Sequence, residues 1–345
     1  MFRPRCIQRL LLLSLWLGLT LSSLAQSGRK PPEQERGKPS EPNQKSGSII
    51  SLKTEEVILP ITVRDSLGRF VAGLDARDFF IYDNGQRQEI EDFNRRQVPV
   101  NVIFLLDASG SVFERMETIR EAALSFVKTL APEDRVAVIQ FADKVQTLQD
   151  WTGKYEDIKT ALEWKYRSGQ ATAFYDALVE TAEKFKGVEG RRAVILLTDG
   201  VNTKGNANFV SGLAAIKNSE AAVYVVSETE ALARPLRRDT KGAAGVFNRV
   251  FGGSYSISVA QYLKLLEQAE GELTKLAETT GGRIYFPIAD RDLATAYDEV
   301  AHELKTQYIV TYIPVSNRAA EESYHKVEVL VRGGYQAYTR SGYQR

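Results

Sequence analysis

Apolar positions in the middle of the chain follow two alternating patterns. Nearly continuous apolar runs over residues 100–106, 135–141, 193–197 and 221–226 indicate buried strands, with shorter strands at 143–148 and 283–286. Apolar residues three or four positions apart indicate amphipathic helices over 114–130, 155–164, 173–185 and 290–305. Strands that alternate with helices predict an α/β fold with a doubly wound, mostly parallel sheet over residues 97–306.

The flanks of this region, residues 50–96 and 307–345, contain strand-like segments instead. Asp83-Asn84-Gly85 lies between two of these segments, and Asn-Gly between strands is a strong hairpin signal. Neither flank has enough strands to be stable alone. The first predicted strand of the central region begins, and its closing helix ends, at the edge of the sheet opposite the carboxyl ends of the parallel strands. The sequence therefore predicts a small flanking all-β module in which 307–345 packs with 50–96.

The first 25 residues are typical of a secretory signal peptide. Arg3, Arg5 and Arg9 precede an apolar run over residues 10–21, and Ser23-Leu24-Ala25 fits a cleavage site. We therefore expect a secreted or periplasmic protein, with a membrane contact only if the segment stays uncleaved as an anchor.

Composition limits the classes of protein to which this chain can belong. The only cysteine, Cys6, lies in the signal segment, so the mature chain does not depend on disulfides. Residues 26–49 are polar and nearly free of apolar side chains, which indicates a disordered linker. Across the chain, 45 Lys and Arg residues oppose 44 Asp and Glu residues, and this balance does not favour a nucleic-acid partner.

Five oxygen-bearing side chains lie in loops next to the predicted strands. Asp107, Ser109 and Ser111 occupy every second position after the strand 100–106. Asp199 follows the strand 193–197, and Thr172 precedes the helix 173–185. Open α/β sheets place ligand sites at the carboxyl ends of their strands, and hard oxygen donors suit Mg²⁺. The first motif taken alone also fits an ordinary strand-to-helix turn with a serine N-cap.

Together these motifs resemble the von Willebrand factor A (vWA) domain and its metal-ion-dependent adhesion site (MIDAS), over roughly residues 97–306. Asp107, Ser109 and Ser111 match the first motif, Thr172 the isolated threonine, and Asp199 the Thr-Asp-Gly motif. The resemblance implies that these five residues bind Mg²⁺, or alternatively Mn²⁺ or Ca²⁺, directly or through water. It also implies that an Asp or Glu carboxylate of a partner protein completes the metal shell.

Two features depart from the usual family pattern. The loop reads Gln170-Ala171-Thr172 where the family usually has Gly-Gly-Thr, so it is slightly bulkier. Residues 227–258 form a long connection that begins on the predicted metal face. Its basic residues are Arg234, Arg237, Arg238, Lys241 and Arg249. Two interpretations of this connection remain open: a flexible surface insertion, or a loop that steers an acidic ligand to the metal.

No enzymatic motif accompanies the candidate site. The chain lacks a Gly-x-Ser-x-Gly nucleophile elbow and a phosphate-binding loop. Ser109 stands where a phosphoaspartate enzyme needs its second carboxylate, and His302 and His325 lie far along the chain from the motifs. We therefore expect a secreted, non-enzymatic, divalent-metal-dependent protein-binding or adhesion module. The alternative is a structural or scaffold protein whose metal only orders loops and whose β-module binds partners.

Overall fold

The computed structural model describes residues 56–94, 98–238, 258–315 and 324–344. The predicted signal peptide (1–25), the predicted linker (26–49) and the basic residues Lys241 and Arg249 lie outside these ranges. Among the helices within them, none is both long and apolar enough to cross a membrane.

The described chain begins with four strands of the N-terminal flank. They are β1 (Val57–Arg64), β2 (Phe79–Asp83), β3 (Gln86–Gln88) and β4 (Asp92–Asn94). Asn84 and Gly85 join β2 to β3 with φ angles of 47° and 76°. Positive φ at both central residues is what a two-residue type I′ hairpin requires, which explains why Asn-Gly occurs here.

A six-stranded sheet forms the centre of the fold. Its strands are β5 (Val100–Asp107), β6 (Arg135–Phe141), β7 (Val145–Thr152), β8 (Arg191–Thr198), β9 (Ala222–Ser227) and β10 (Ile284–Tyr285). The spatial order is β10-β9-β8-β5-β6-β7, and neighbours are parallel except for β6 and β7. From β5 the chain winds outward first through β6 and then through β8, so the sheet is doubly wound.

Helices cover both faces of this sheet. They are α1 (Met116–Val127), α2 (Tyr155–Thr160), α3 (Phe174–Lys184), α4 (Phe209–Asn218), α5 (Thr229–Arg238), α6 (Val259–Thr280) and α7 (Asp290–Thr306). α1, α2 and α7 pack on one face, around Phe104 and Tyr297. α3, α4 and α6 pack on the other, around Ile103 and Leu273. Burial on both faces explains the continuous apolar runs and confirms the predicted doubly wound, mostly parallel α/β fold.

The C-terminal flank contributes β11 (Tyr308–Tyr312), β12 (Tyr324–Val331), β13 (Gln336–Tyr338) and β14 (Gly342–Gln344). The two flanks interleave in two antiparallel sheets, of order β13-β1-β11-β4 and β14-β12-β2-β3. One apolar core, which includes Leu59, Ile81 and Val310, lies between the sheets. The fold thus contains the small flanking all-β module that the sequence predicts.

A buried ion pair joins the β-module to the central domain. Arg64 of β1 contacts Glu303 of α7 at 2.7 Å, and the Thr62 hydroxyl donates to the same carboxylate at 2.9 Å. Glu303 lies near the end of α7, at the pole opposite the carboxyl end of β5. The module therefore lies at the far end of the domain from the candidate site.

Several elements differ from the sequence-based expectation. The predicted helix 114–130 begins only at Met116, because Gly110–Arg115 forms a 3₁₀ segment. The helix predicted over 155–164 is α-helical only to Thr160 and continues as a π-turn over Ala161–Lys165. The connection 227–258 is not loop throughout, since it begins as α5. Ala233 and Leu236 of α5 are buried against α6, and this tertiary packing stabilises the helix.

Candidate metal centre

The loops that carry the candidate ligands meet at the carboxyl edge of the central sheet. β5 lies between β8 and β6, with Leu106 beside Leu197 and Asp107 beside Phe141. Because adjacent parallel strands end at the same edge, Asp107 at the end of β5 and Asp199 just after β8 come together. The site is therefore a consequence of strand order.

Both carboxylate oxygens of Asp107 accept hydrogen bonds. The backbone N–H of Ser109 donates to Oδ1 at 2.8 Å, and the Thr198 hydroxyl donates to Oδ2 at 2.6 Å. The Tyr166 hydroxyl donates to the Asp107 backbone carbonyl at 2.5 Å. The side chain is completely buried. These bonds hold the carboxylate in one orientation and leave its remaining lone pairs for another ligand.

Ser109 stands at the N-cap position of the 3₁₀ segment, but its side chain makes no capping bond. Its hydroxyl instead lies 3.0 Å from the Ser111 hydroxyl. Asp199 Oδ1 accepts the Val201 N–H at 2.9 Å, and the nearby Ser111 hydroxyl lowers the pKa of the Asp199 carboxyl. Ser109 therefore occupies the N-cap position without capping the segment through its side chain. The Ser109 and Ser111 hydroxyls lie close enough to the carboxyls of Asp107 and Asp199, respectively, to lower their pKa values.

The loop that carries Thr172 is tied to both neighbouring loops. Its N–H donates to the Thr203 hydroxyl at 2.8 Å, and its carbonyl accepts the Thr203 N–H at 3.0 Å. The Gly169 N–H donates to the Ala108 carbonyl at 2.7 Å. Thr172 is 4% exposed. The bulkier Gln170-Ala171 sequence is therefore compatible with a braced loop.

Gly169 is required by close packing in this loop. A Cβ atom on Gly169 would lie 2.5 Å from Asp143 Oδ2 and 2.7 Å from Ala142 Cβ. Asp143 Oδ2 also accepts the Gln170 N–H at 2.9 Å. The glycine thus lets the Thr172 loop approach the end of β6.

The electrostatics of the two aspartates favour a bound cation. Burial, and then the negative charge of Asp199, raises the pKa of Asp107 to about 7. Burial also raises the pKa of Asp199. Among the described residues, no Lys or Arg forms an ion pair with either carboxylate. Two buried carboxylates without a counter-charge are costly unless they are protonated or bind a cation.

The donor set matches a hard divalent ion. It comprises two carboxylates and three hydroxyls, and Mg²⁺ and Mn²⁺ prefer such oxygen ligands. Within the described ranges, no three His, Cys, Asp or Glu side chains cluster as a metal site. The residues present fit a cation that keeps other ligand positions open.

A third buried carboxylate, Glu228, lies beside the site. It directly follows β9, and its N–H donates to the Thr198 carbonyl at 3.0 Å. Burial raises its pKa to about 7, although Arg115 pairs with it. Sequence reasoning missed Glu228 as well as the bracing residues Thr198, Thr203 and Tyr166. Its position directly after a buried strand, like those of Asp107 and Asp199, was the signal that could have identified it.

Three of the five predicted steering residues lie within the described ranges, whereas Lys241 and Arg249 lie outside them. Arg234, Arg237 and Arg238 lie on α5, whose buried residues pack with Val201, two residues after Asp199. Arg237 pairs with Glu230 at 2.8 Å, which offsets part of its charge. The helix that flanks the third motif loop thus carries three basic residues.

The two histidines lie away from the metal edge. The His302 ring packs edge-on against Phe70, with 4.9 Å between the ring centres. His325 Nδ1 lies 2.8 Å from Asp83 Oδ1, inside the β-module. Both contacts are structural ones within or beside the module.

Comparison with known proteins supports the domain type. Residues 101–247 match the family model of the von Willebrand factor type A domain. The uncharacterized protein sll0103 of Synechocystis sp. is 32% identical over 120 residues. That alignment covers 33% of this chain and 28% of the relative, so the chain spans little more than a quarter of its length.

Two solved structures are similar to this chain at low sequence identity. Proximal thread matrix protein 1 from the mussel byssus is 18% identical, with a TM-score of 0.43, over 60% of this chain and 48% of its own. A von Willebrand factor type A structure from Catenulispora acidiphila is 14% identical, with a TM-score of 0.44. It covers 78% of this chain and 74% of its own.

Proposed function

We propose that this chain is an extracytoplasmic protein-binding or adhesion module that recognises its partner through a divalent cation. The cation, Mg²⁺ or alternatively Mn²⁺ or Ca²⁺, is held by Asp107, Ser109, Ser111, Thr172 and Asp199. The observation that carries this proposal is the pair of buried aspartates that has hydroxyl neighbours but no cationic partner among the residues that the structure describes. The bound ion supplies a positive centre for an Asp or Glu carboxylate of the partner.

The braced loops favour this proposal over a scaffold whose metal only orders loops. Direct hydrogen bonds already connect the Thr172 loop to Thr203 and to Ala108. The hydroxyls of Ser109 and Ser111 lie 3.0 Å apart at the start of the 3₁₀ segment. Because protein contacts hold the loops together, the cation is available for a ligand. Partner binding through the β-module remains the competing proposal.

We further propose that the module is not an enzyme and does not bind nucleic acid. Neither histidine is near the metal edge, and the overall charge is nearly balanced. We expect the mature protein to be secreted or periplasmic, and to contact a membrane only if the signal segment is retained.

The decisive experiment combines a metal titration with a peptide array. Calorimetry measures Mg²⁺ and Mn²⁺ binding to the wild type and to Asp107→Ala. The array presents peptides that contain Asp or Glu, each beside a matched peptide with Asn or Gln. It is probed in Mg²⁺ and in excess chelator. We expect metal binding only by the wild type, and acid-dependent peptide binding that disappears in chelator.

Other outcomes point elsewhere. Equal metal affinity in the wild type and in Asp107→Ala contradicts the site assignment. Peptide binding that survives both the chelator and Asp107→Ala supports the β-module as the binding surface instead.

A further inference from the structure

A partly buried ion pair lies beside the candidate metal loop. Arg115 is the last residue of the 3₁₀ segment Gly110–Arg115, which carries Ser111. Its Nη1 donates to Oε2 of Glu228, the residue that follows β9. The side chains are 17% and 2% exposed, respectively. The pair therefore connects the metal-loop segment to a strand that is not adjacent to β5 in the sheet.

The glutamate end of this pair is joined to the two candidate aspartates. The Glu228 N–H donates to the Thr198 carbonyl at 3.0 Å, and the Thr198 hydroxyl donates to Asp107 at 2.6 Å. Thr198 is also the residue before Asp199. The arginine end lies four residues after Ser111. The Arg115–Glu228 pair and the two hydrogen bonds of Thr198 thus connect the first motif to the third.

Stability alone does not account for this pair. A buried ion pair costs desolvation energy, and apolar replacements are often neutral or stabilising. In the described part of the chain, Arg115 Nη2 and Glu228 Oε1 are both buried without a hydrogen-bond partner. Arg115 Nε also lies 3.6 Å from Asp290, the first residue of α7. An incompletely satisfied pair at this position points to a role in placing the loop.

We propose that Arg115 and Glu228 are positioning residues for the cation site, which they serve by holding the 3₁₀ segment of Ser111 against the edge of β9. This inference rests on the proposed metal site. Neither residue is a ligand in this scheme. Residues that orient metal ligands from behind typically change metal affinity about 10–100-fold when they are replaced.

The chain offers a matched control in the Arg64–Glu303 pair. That pair is buried, with an N–O distance of 2.7 Å and side chains 7% and 2% exposed. It lies at the opposite pole, between β1 and α7. Breaking it perturbs stability in a comparable way but leaves the metal edge untouched.

The test measures Mn²⁺ affinity by calorimetry for Arg115→Met, Glu228→Gln and the control Arg64→Met. It also measures amide hydrogen exchange of residues 109–116 in the metal-free proteins. We expect affinity to fall about tenfold or more, and exchange to accelerate, in the first two variants only. The double variant Arg115→Met with Glu228→Leu should recover thermal stability while its affinity stays weak.

The experiment distinguishes failure of the positioning role from failure of the proposed function. Affinity that is unchanged in both single variants, or that recovers in the double variant, overturns the positioning role. An equal loss in Arg64→Met shows that the effect is general destabilisation and also overturns it. If the wild type binds no ion, the proposed function fails. The exchange data on the metal-free proteins then still decide whether the pair positions the loop.

Discussion

The hydroxyl of Thr198 donates a 2.6 Å hydrogen bond to Oδ2 of the buried Asp107, from the neighbouring strand of the central sheet. The same hydroxyl oxygen accepts the Gly200 N–H at 2.9 Å. Thr198 therefore connects the first candidate motif to the turn of the third, although neither motif pattern assigns it a role.

Replacing Thr198 with valine should destabilise the metal-free protein by about 1–3 kcal/mol, because it leaves buried polar partners unpaired. Thr181→Val is the matched control. The Thr181 hydroxyl on α3 is buried and has no hydrogen-bond partner among the described residues. Its replacement should be neutral or slightly stabilising. Chemical unfolding of both variants measures the difference, and equal losses would contradict the assigned role of Thr198.

The raised aspartate pKa values predict a pH dependence in the metal-free protein. The folded pKa of Asp107 is about 7 against an ordinary value of 3.8, so folding favours the protonated carboxyl. The contribution of Asp107 to the free energy of unfolding is therefore greatest below about pH 4, and it falls as the pH rises towards 7. Asp199 and Glu228 act in the same direction, since burial also raises their pKa values.

Thermal melts in chelator between pH 4 and pH 8 measure this loss. Asp107→Asn should flatten the curve in part, because Glu228 still titrates. Saturating Mg²⁺ should oppose the loss at high pH, since the ion binds the deprotonated carboxylates. A melting temperature of the wild type that rises throughout this range in chelator would refute the prediction.

Gly169→Ala should weaken metal binding, because the new Cβ atom would lie 2.5 Å from Asp143 Oδ2 and displace the Thr172 loop. The control Gly271→Ala adds a Cβ atom within α6, with no atom inside 4 Å. It should stabilise the fold by about 0.5–1 kcal/mol. Mn²⁺ titration together with chemical unfolding checks both variants. Unaltered Mn²⁺ affinity in Gly169→Ala would show that the loop tolerates the displacement.

Asp83 is central to the β-module. Its Oδ2 accepts the hydroxyls of Tyr312 at 2.9 Å and Tyr343 at 2.7 Å. Asp83→Asn should cost about 1–3 kcal/mol of unfolding free energy, because the amide nitrogen cannot accept a hydrogen bond, whether it faces the two tyrosine hydroxyls or His325 Nδ1. The exposed Glu328→Gln on the same sheet is the control. Metal affinity should be unchanged in both variants, and a loss in Asp83→Asn would show that the module and the metal site are coupled.

The basic side chains of α5 should accelerate encounter with an acidic ligand. Replacing Arg234, Arg237 and Arg238 with glutamine should slow association with an acidic peptide by up to about tenfold at low salt. The control variant replaces Arg87, Lys326 and Arg332, three exposed basic residues of the β-module. It matches the change in net charge. Surface plasmon resonance at two salt concentrations measures both rates, and equal slowing would leave α5 with no special role.

The sequence by itself determined the strands of the central sheet, four of the seven α-helices that the structure describes there, and most of the candidate ligands. Continuous apolar runs predict buried parallel strands, and parallel strands must end at a common edge. Asp107 and Asp199 could therefore be placed together from the sequence. Asn84-Gly85 predicted its hairpin because few residues accept positive φ at both turn positions.

Only the tertiary structure decided which residues hold that site in place. Thr198 and Asp107 are separated by 91 positions, and Arg115 and Glu228 by 113. The helix α5 was missed for a related reason, because Ala233 and Leu236 gain their stabilisation from α6. Local patterns report which backbone conformation a segment prefers. Hydrogen bonds and ion pairs between distant segments depend on the distances that the folded sheet creates, and no local pattern contains those distances.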